Sequence, residues 1–308
     1  MLKYIIKRLF MMIFVLFGIS ILVFTIFHFA PGDPATIILG AGASVEDIQK
    51  LRNELGLEDP FIVRYLRYVS NALRLDFGKS YKSATPVFQE IFSRFPVTLK
   101  LTTFGILFAS ILGISMGVIA AVKQYSMFDN LTIFFALSLT SMPAFWVGLM
   151  LVLLVSLKWN LLPATGAVSW TSYILPTLTI SSRSIALIGR MTRTTMLEVI
   201  RQDYIRTARA KGASWYRIIT KHALKNALIP VITTIGTNFG YMLGAVVLIE
   251  VVFAMPGIGI YLVDSVRAMD TPIVMADVLL MGVIYSFINL TVDILYTFVD
   301  PRIRTQFK

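Results

Sequence analysis

The sequence predicts an all-α integral membrane protein with six transmembrane helices, an extracytoplasmic subdomain between helices 1 and 2, and a cytoplasmic loop between helices 4 and 5. Three observations carry this. Apolar residues make up 56% of the chain and mean hydropathy is +0.76, more than a soluble globular domain can hide. They fall in runs long enough to cross a bilayer core, which takes roughly 20 residues of helix. Basic residues gather on one predicted side of those runs. Cysteine is absent, which excludes disulfides and thiolate metal sites and says nothing about compartment.

The first helix (1–30) follows Lys3, Lys7 and Arg8, and its run from Leu9 to Phe29 is broken only by Ser20, Thr25 and His28. A cleaved signal peptide has an apolar stretch of roughly 7 to 15 residues and a small-residue cleavage site. HFAPGDPA offers no such site, so the helix is expected to be retained. Residues 31–97 change to mixed charge with turn signals. There Ser44 and Asp47 form a helix-start pattern, Ile48, Leu51 and Leu55 share one face up to Gly56, and a second helix is predicted from Val63 to Leu75.

Residues 98–299 hold five more predicted crossings. The runs are Thr98 to Val122, Leu131 to Leu157 with Pro143 inside it, Tyr173 to Met196, Ile229 to Phe253, and about Ala276 to Val299. The run from Tyr173 is the weakest, because it contains Arg183 and Arg190. Pro256, Gly257 and Gly259 are expected to turn the chain into the last outer loop. The tail, 300–308, is predicted to be cytoplasmic, as is the N-terminus. Sixteen Lys and Arg fall on the inner segments, Arg302, Arg304 and Lys308 among them, against two, Lys158 and Arg267, on the short outer loops. That bias explains most of the net charge of +11 without nucleic acid. Trp159, Trp170 and Tyr173 lie at the predicted outer boundary, where amphipathic rings are favoured.

Inside the predicted helices, Gly113 and Gly117, and Gly236, Gly240 and Gly244, recur at four-residue spacing. This lets another helix approach closely, either within the chain or from a second subunit. Arg183 sits among Ser181, Ser182 and Ser184 near the middle of its run and should face protein or water. Two readings stand. Either it forms a buried ion pair, with Glu250 or Asp293, or it lines a translocation path with Ser182 and Asn238.

The loop at 197–228 is organised around the stretch from Asp203 to Pro230, which carries Arg206, Arg209, Lys211, Arg217, Lys221 and Lys225 with only Asp203 as a counter-charge. Two helical pieces are expected, meeting at Gly212, with Pro230 ending the second. An orienting loop that touches lipid headgroups accounts for the charge. The small residues Ala208 and Ala210, followed by Trp215 and Tyr216, point instead to a docking knob for a soluble partner.

Catalysis finds little footing. The two histidines, His28 and His222, are predicted on opposite sides of the membrane, so neither a paired-His metal site nor a Ser/His/Asp triad can form. The phosphate-loop pattern G-x-x-x-x-G-K-[ST] does not occur. A secondary transporter or channel, or a membrane enzyme, remains the alternative. The former calls for inverted repeats or several midplane carboxylates, the latter for catalytic groups clustered at one interface.

ARAKG at 208–212 and HALKNALIP at 222–230 resemble the cytoplasmic coupling loop of prokaryotic ABC importer permeases of the oligopeptide/dipeptide branch, which includes nickel and glutathione systems. Arg206-Thr207-Ala208 stands where the general pattern has E-A-A, and Pro230 lies eighteen positions after Gly212, both in the manner of this branch. PGDP at 31–34, LGLEDP at 55–60, DFGKS at 76–80, PGIG at 256–259 and VDPRIR at 299–304 extend the resemblance along nearly the whole chain. It implies the first, B-type permease of a pair in the prokaryotic plasma (inner) membrane. Implied partners are a second homologous permease, two ATP-binding subunits that hold ATP and Mg2+, an extracytoplasmic solute-binding protein and membrane lipid. No cofactor is expected on this chain. The resemblance assigns Asp203, Arg206, Ala208, Arg209, Ala210, Lys211, Gly212, Trp215 and Tyr216 to ATPase contact. It also implies short peptides as the solute class, although relatives carry glutathione, nickel complexes or sugars.

Overall fold

The computed structural model describes residues 2–29, 32–40 and 42–299. The tail with Arg302, Arg304 and Lys308, Pro31 of the PGDP motif, and the side chains of Lys3 and Asp293 lie outside the described residues. Thirteen helices follow one another among those described. They begin with α1 (Leu2–Phe29), α2 (Pro34–Leu39), α3 (Val45–Glu54), α4 (Phe61–Ala72) and α5 (Val87–Val122). Next come α6 (Met127–Ser141), α7 (Ala144–Leu151), α8 (Ile174–Ile200) and α9 (Asp203–Ala210). The last are α10 (Trp215–Arg217), α11 (Leu224–Val252), α12 (Ile258–Arg267) and α13 (Thr271–Val299). Wide π turns join α7 to Lys158 and α10 to α11.

The chain divides into two compact units. One comprises Leu2–Thr98 and Pro256–Ser286. Its short helices begin on side-chain caps. Asp33 accepts from the Thr36 amide at 3.3 Å, with Pro34 in the first helical position, and Ser44 accepts from the Asp47 amide at 3.1 Å. α4 packs on α1 through an aromatic nest in which Phe24 meets Phe61 and Tyr65 edge-on at 5.2 and 5.4 Å. Within the nest, Ser20 and Tyr65 hydroxyls bond at 2.8 Å. The first turns of α5 bury Val87 and Ile91 against Ile258, Ile273 and Ala276. That burial is why α5 starts at Val87 rather than Thr98. Pro96 lies inside the helix without ending it, and α12 is a helix where a plain turn into a loop was expected.

One carboxylate ties the 76–86 segment to this unit. Asp270, 2% exposed, accepts from the Ser80 hydroxyl at 2.5 Å and from the amides of Tyr81 and Lys82 at 3.1 and 3.4 Å. Burial, and then Asp270 itself, push the Tyr81 phenol up to about 12 against the smaller opposing pull of Arg64, so it stays protonated at physiological pH.

The other unit comprises Leu99–Met255 and Phe287–Lys308. The apolar run with Pro143 is not one straight helix. Met127–Ser141 and Ala144–Lys158 meet at 103°, with Pro143 starting the second arm. Pro230 does not end a helix either. It sits inside α11, and the helical path runs without a break from Trp215 to Val252. A membrane helix tolerates such a proline because wide turns and Ser or Thr hydroxyls absorb the lost ladder bond. Here a π turn, Ile218–Ala223, lies just upstream of the proline.

Four described helices are long and apolar enough to cross a membrane, or five spans if the bent pair counts as one. The remaining expected crossing, the fourth, is α8, which has 27 residues and is long enough at 1.5 Å per residue but too polar to meet that standard.

Asp270→Ala strands three donors in a buried place and should cost about 2–3 kcal/mol. Thermal unfolding of the detergent-solubilised protein checks this, with Asp264→Ala, from the exposed pair with Arg267, as the variant expected to leave the midpoint unchanged.

Candidate functional site: a polar hub helix and the loop beneath it

α8 is polar because its buried face is made of small hydroxyls and glycine. Thr179, Ser181, Ser182, Ser184, Thr192 and Thr195 are all buried. Several return a hydrogen bond to their own backbone: Thr179 to the Leu175 carbonyl at 2.8 Å, Ser182 to Thr179 at 2.8 Å, and Thr195 to Met191 at 3.0 Å. Hydroxyls satisfied in this way leave a thin surface on which neighbouring backbones can settle. α5 uses it most. A Cβ on Gly117 would lie 2.5 Å from the Gly189 carbonyl, and one on Gly113 would lie 2.9 Å from Ile188. Gly236 does the same for α13, where a Cβ would meet Val292 at 2.3 Å. Gly113, Gly117 and Gly236 therefore serve packing within the chain, whereas Gly244 faces open space.

Polar side chains fix α8 to its other neighbours. Ser184 donates to the Asn238 side chain at 3.2 Å, and Asn238 donates to the Thr234 carbonyl at 2.8 Å. Toward the far end, Arg193 makes a two-pronged contact with Asp129 at 2.5 and 2.8 Å. Asp129 is 1% exposed, so this pair holds α6 against α8 with little competition from water.

Arg183 lies against Tyr241 rather than Glu250, and the side chain of Asp293, the other carboxylate offered by the sequence, is outside the described residues. The Arg183 guanidinium lies 4.8 Å over the Tyr241 ring, and one N–H donates to the Tyr241 hydroxyl at 3.3 Å. Glu250 stands nine residues further along α11, about 13 Å away at helical rise, and is fully buried there. Arg183 itself is exposed on the face of α8 that this chain leaves uncovered. A charge in lipid at that depth would cost about 2.5–3.5 kcal/mol on insertion scales, so the uncovered face must meet protein or water. Ser182 and Asn238 are buried in helix packing, and Asp293 lies in α13.

Below the hub, α9 ends in a left-handed turn. Gly212 has φ +79, its amide donates to the Arg209 carbonyl at 3.0 Å, and the Ala213 amide donates to Ala208 at 3.2 Å. These two bonds close the last carbonyls of α9, an arrangement that an L side chain at Gly212 would strain. Ser214 then caps α10, accepting from the Arg217 amide at 3.4 Å. Around the turn, Arg206, Arg209, Ala210, Lys211, Trp215 and Tyr216 are exposed, while Ala208 is half-buried. Arg209 lies 5.8 Å over the Trp215 ring, bracing the two sides, and Arg206 reaches Asp203 at 3.6 Å in full solvent. No atom lies within 4 Å of the Cβ that Gly212 lacks, so the apex is open to a partner.

Charge and aromatics drew attention to the loop's surface, but apolar residues beneath it hold it in place. Ile205 and Ile218 bury against Met196, Ile219, Ala223 and Ala227, with Ala121 at the end of α5 closing the cluster. Ile205 is the one buried residue of α9. A single isoleucine in a polar octet carries no periodic signal, although its seven-residue offset from Gly212 places it on the inner side of a helix ending there.

A family model described as "Binding-protein-dependent transport system inner membrane component" matches residues 113–305, and a companion model for the N-terminal part of such membrane components matches residues 1–102. The chain belongs to this family. It is the membrane-spanning permease subunit of an ABC importer, and ATP hydrolysis resides in partner subunits. The permease is 44% identical over 304 residues to the glutathione transport system permease protein GsiC of Escherichia coli (strain K12), covering 99% of both chains. It matches the protein of that name from Shigella flexneri serotype 5b (strain 8401) to the same extent. Among solved structures, its fold is similar to the inward-facing MetNI methionine ABC transporter, with a TM-score of 0.55 at 18% identity over 68% of this chain and 96% of that one. An amino acid ABC transporter with histidines gives 0.51 at 15% identity, over 70% and 94%.

Ile205→Ala should remove about 2–5 kcal/mol of packing and free α9 from the cluster. Hydrogen exchange of amides 203–210 is expected to accelerate selectively, while the exchange of α8 stays as it is.

Proposed function

We propose that this permease forms one half of a path for short peptides or a similar small solute such as glutathione. In this reading it pairs with a second homologous permease in the prokaryotic inner membrane, above two ATP-binding subunits that hold ATP and Mg2+. An extracytoplasmic binding protein delivers the solute. Both termini are cytoplasmic, and α8 is the fourth of six crossings. The distribution of Lys and Arg supports that orientation, and full-length similarity to a glutathione permease supports the solute class.

One observation carries the coupling mechanism: the exposed apex at Gly212 stands on a buried apolar cluster that joins the ends of α8 and α11. Closure of the ATPase pair moves a groove on each subunit, and the turn is seated in one of those grooves. Trp215 and Tyr216 anchor it there, while Ala208, Ala210 and Gly212 permit close approach. Arg206, Arg209 and Lys211 meet acidic groups of the ATPase, and Asp203 steadies Arg206 from the first turn of α9. Because α11 and the preceding turns form one uninterrupted helix from Trp215 to Val252, a push at the loop tilts the whole rod. The path then alternates between inward-facing and outward-facing states.

Gly212→Trp obstructs the groove and strains the turn. Solute uptake by the complete importer should fall at least tenfold while the permease still inserts in the membrane and the ATPases still hydrolyse ATP. Normal uptake by this variant would count against the seating of the loop.

A further inference from the structure

The uncovered face of α8 carries two cations that no described residue neutralises. Arg183 and Arg190 are seven residues apart, two helical turns or about 10 Å along one side, and both are exposed. The described ion pairs include neither of them, although they do include Arg193, whose charge Asp129 cancels.

Two cavities open along this face, both within the unit built on α8. The first, about 250 Å³, is lined by Arg183, Ser184 and Tyr241, by Thr140 and Ser141 at the end of α6, and by Pro143 at the bend. The second, about 270 Å³, is lined by Arg190 and Thr194 and by Thr132 and Thr140 of α6. Thr140 belongs to both walls, so the two cavities adjoin, each lined by one arginine that no described residue neutralises.

The chemistry of the pair selects a carboxylate. A guanidinium presents five N–H donors in a rigid fork that fits two carboxylate oxygens at once. Arg183 spends one donor on Tyr241 and is steadied by the ring below it, which leaves its other donors for the cavity. Each cavity supplies one such fork in an otherwise neutral wall, where the hydroxyls of Thr132, Thr140, Ser141 and Ser184 already donate elsewhere in the chain, so one charged contact holds an anion without trapping it. Passage needs sites of that kind, favourable enough to enter and weak enough to leave.

We propose that Arg183 and Arg190 are successive subsites for the carboxylate of a passing solute, with Thr140 at the step between them. The face therefore favours small solutes bearing a free carboxylate over cationic or amidated ones. This rests on the permease reading and adds a charge preference built into the membrane subunit itself.

The absence of cysteine provides a direct test. In the complete importer, in membrane vesicles, a Thr140→Cys variant is reacted with the anionic reagent sulfonatoethyl methanethiosulfonate and with the cationic trimethylammonium-ethyl analogue. Each rate is divided by that of the same reagent with free 2-mercaptoethanol. The normalised ratio should favour the anion by about tenfold. It should fall several-fold on adding Arg183→Gln or Arg190→Gln, and hold with Arg183→Lys or Arg190→Lys. A thiol unreactive in every nucleotide state, or a ratio indifferent to both arginines, overturns the proposal. Wild-type ATP-dependent uptake is measured in the same vesicles. Its absence would defeat the permease reading, whereas intact uptake with an indifferent ratio defeats only the subsites.

Discussion

The permease core depends on how closely α5 can lie against α8. The missing side chains of Gly113 and Gly117 leave room for the Gly189 carbonyl and for Ile188, and any methyl group there would force the helices apart. With lipid on the outside there is no hydrophobic gain in joining two helices, so close contact and internally satisfied hydroxyls must supply the attraction. This explains why the most polar of the long helices is also the most surrounded. α8 trades hydropathy for a thin seam, and the Arg193–Asp129 contact fastens it to α6 where the seam ends.

A rigid hub gives the loop something to push on. α9 has eight residues, too few to hold a helix in water by itself, and Ile205 is its buried attachment. The turn at Gly212 reverses the chain so that both sides of the loop rest on one apolar cluster, fed by the end of α8 and the start of the long helix through α11. Exposed groups at the apex and buried groups beneath it thus divide the work. In the proposed coupling, the surface meets a partner and the cluster passes displacement to two rods. The bend at Pro143 and the uncovered arginines belong to the same unit, so motion at the loop reaches the face on which a solute would travel.

Much of this was legible in the sequence where local chemistry decides local structure. The Ser44 cap, the left-handed glycine of the loop and the interruption at Pro143 each follow from what one residue type can do. Pro230 misled where tertiary context prevailed. It lies inside a helix, as Pro96 also does, because membrane packing absorbs one lost ladder bond more easily than propensity indicates. The start of α5 was hidden because Glu90 and Arg94 share the helix face of the buried Val87 and Ile91, with Arg94 4.2 Å over the Tyr261 ring beside that cluster, so the turn reads as charged rather than apolar. The partner of Arg183 was hidden for another reason. A tyrosine 58 residues away offers a π-face and a hydroxyl, and no spacing rule connects the two.

The coupling claim can be tested at the apex itself. A Tyr216→Cys permease is treated with a membrane-impermeant maleimide in inside-out vesicles, first alone and then assembled with its ATPase subunits. The account predicts rapid labelling of the lone permease and strong protection in the complex. Equal labelling in both states would mean that the ATPases grip the permease elsewhere.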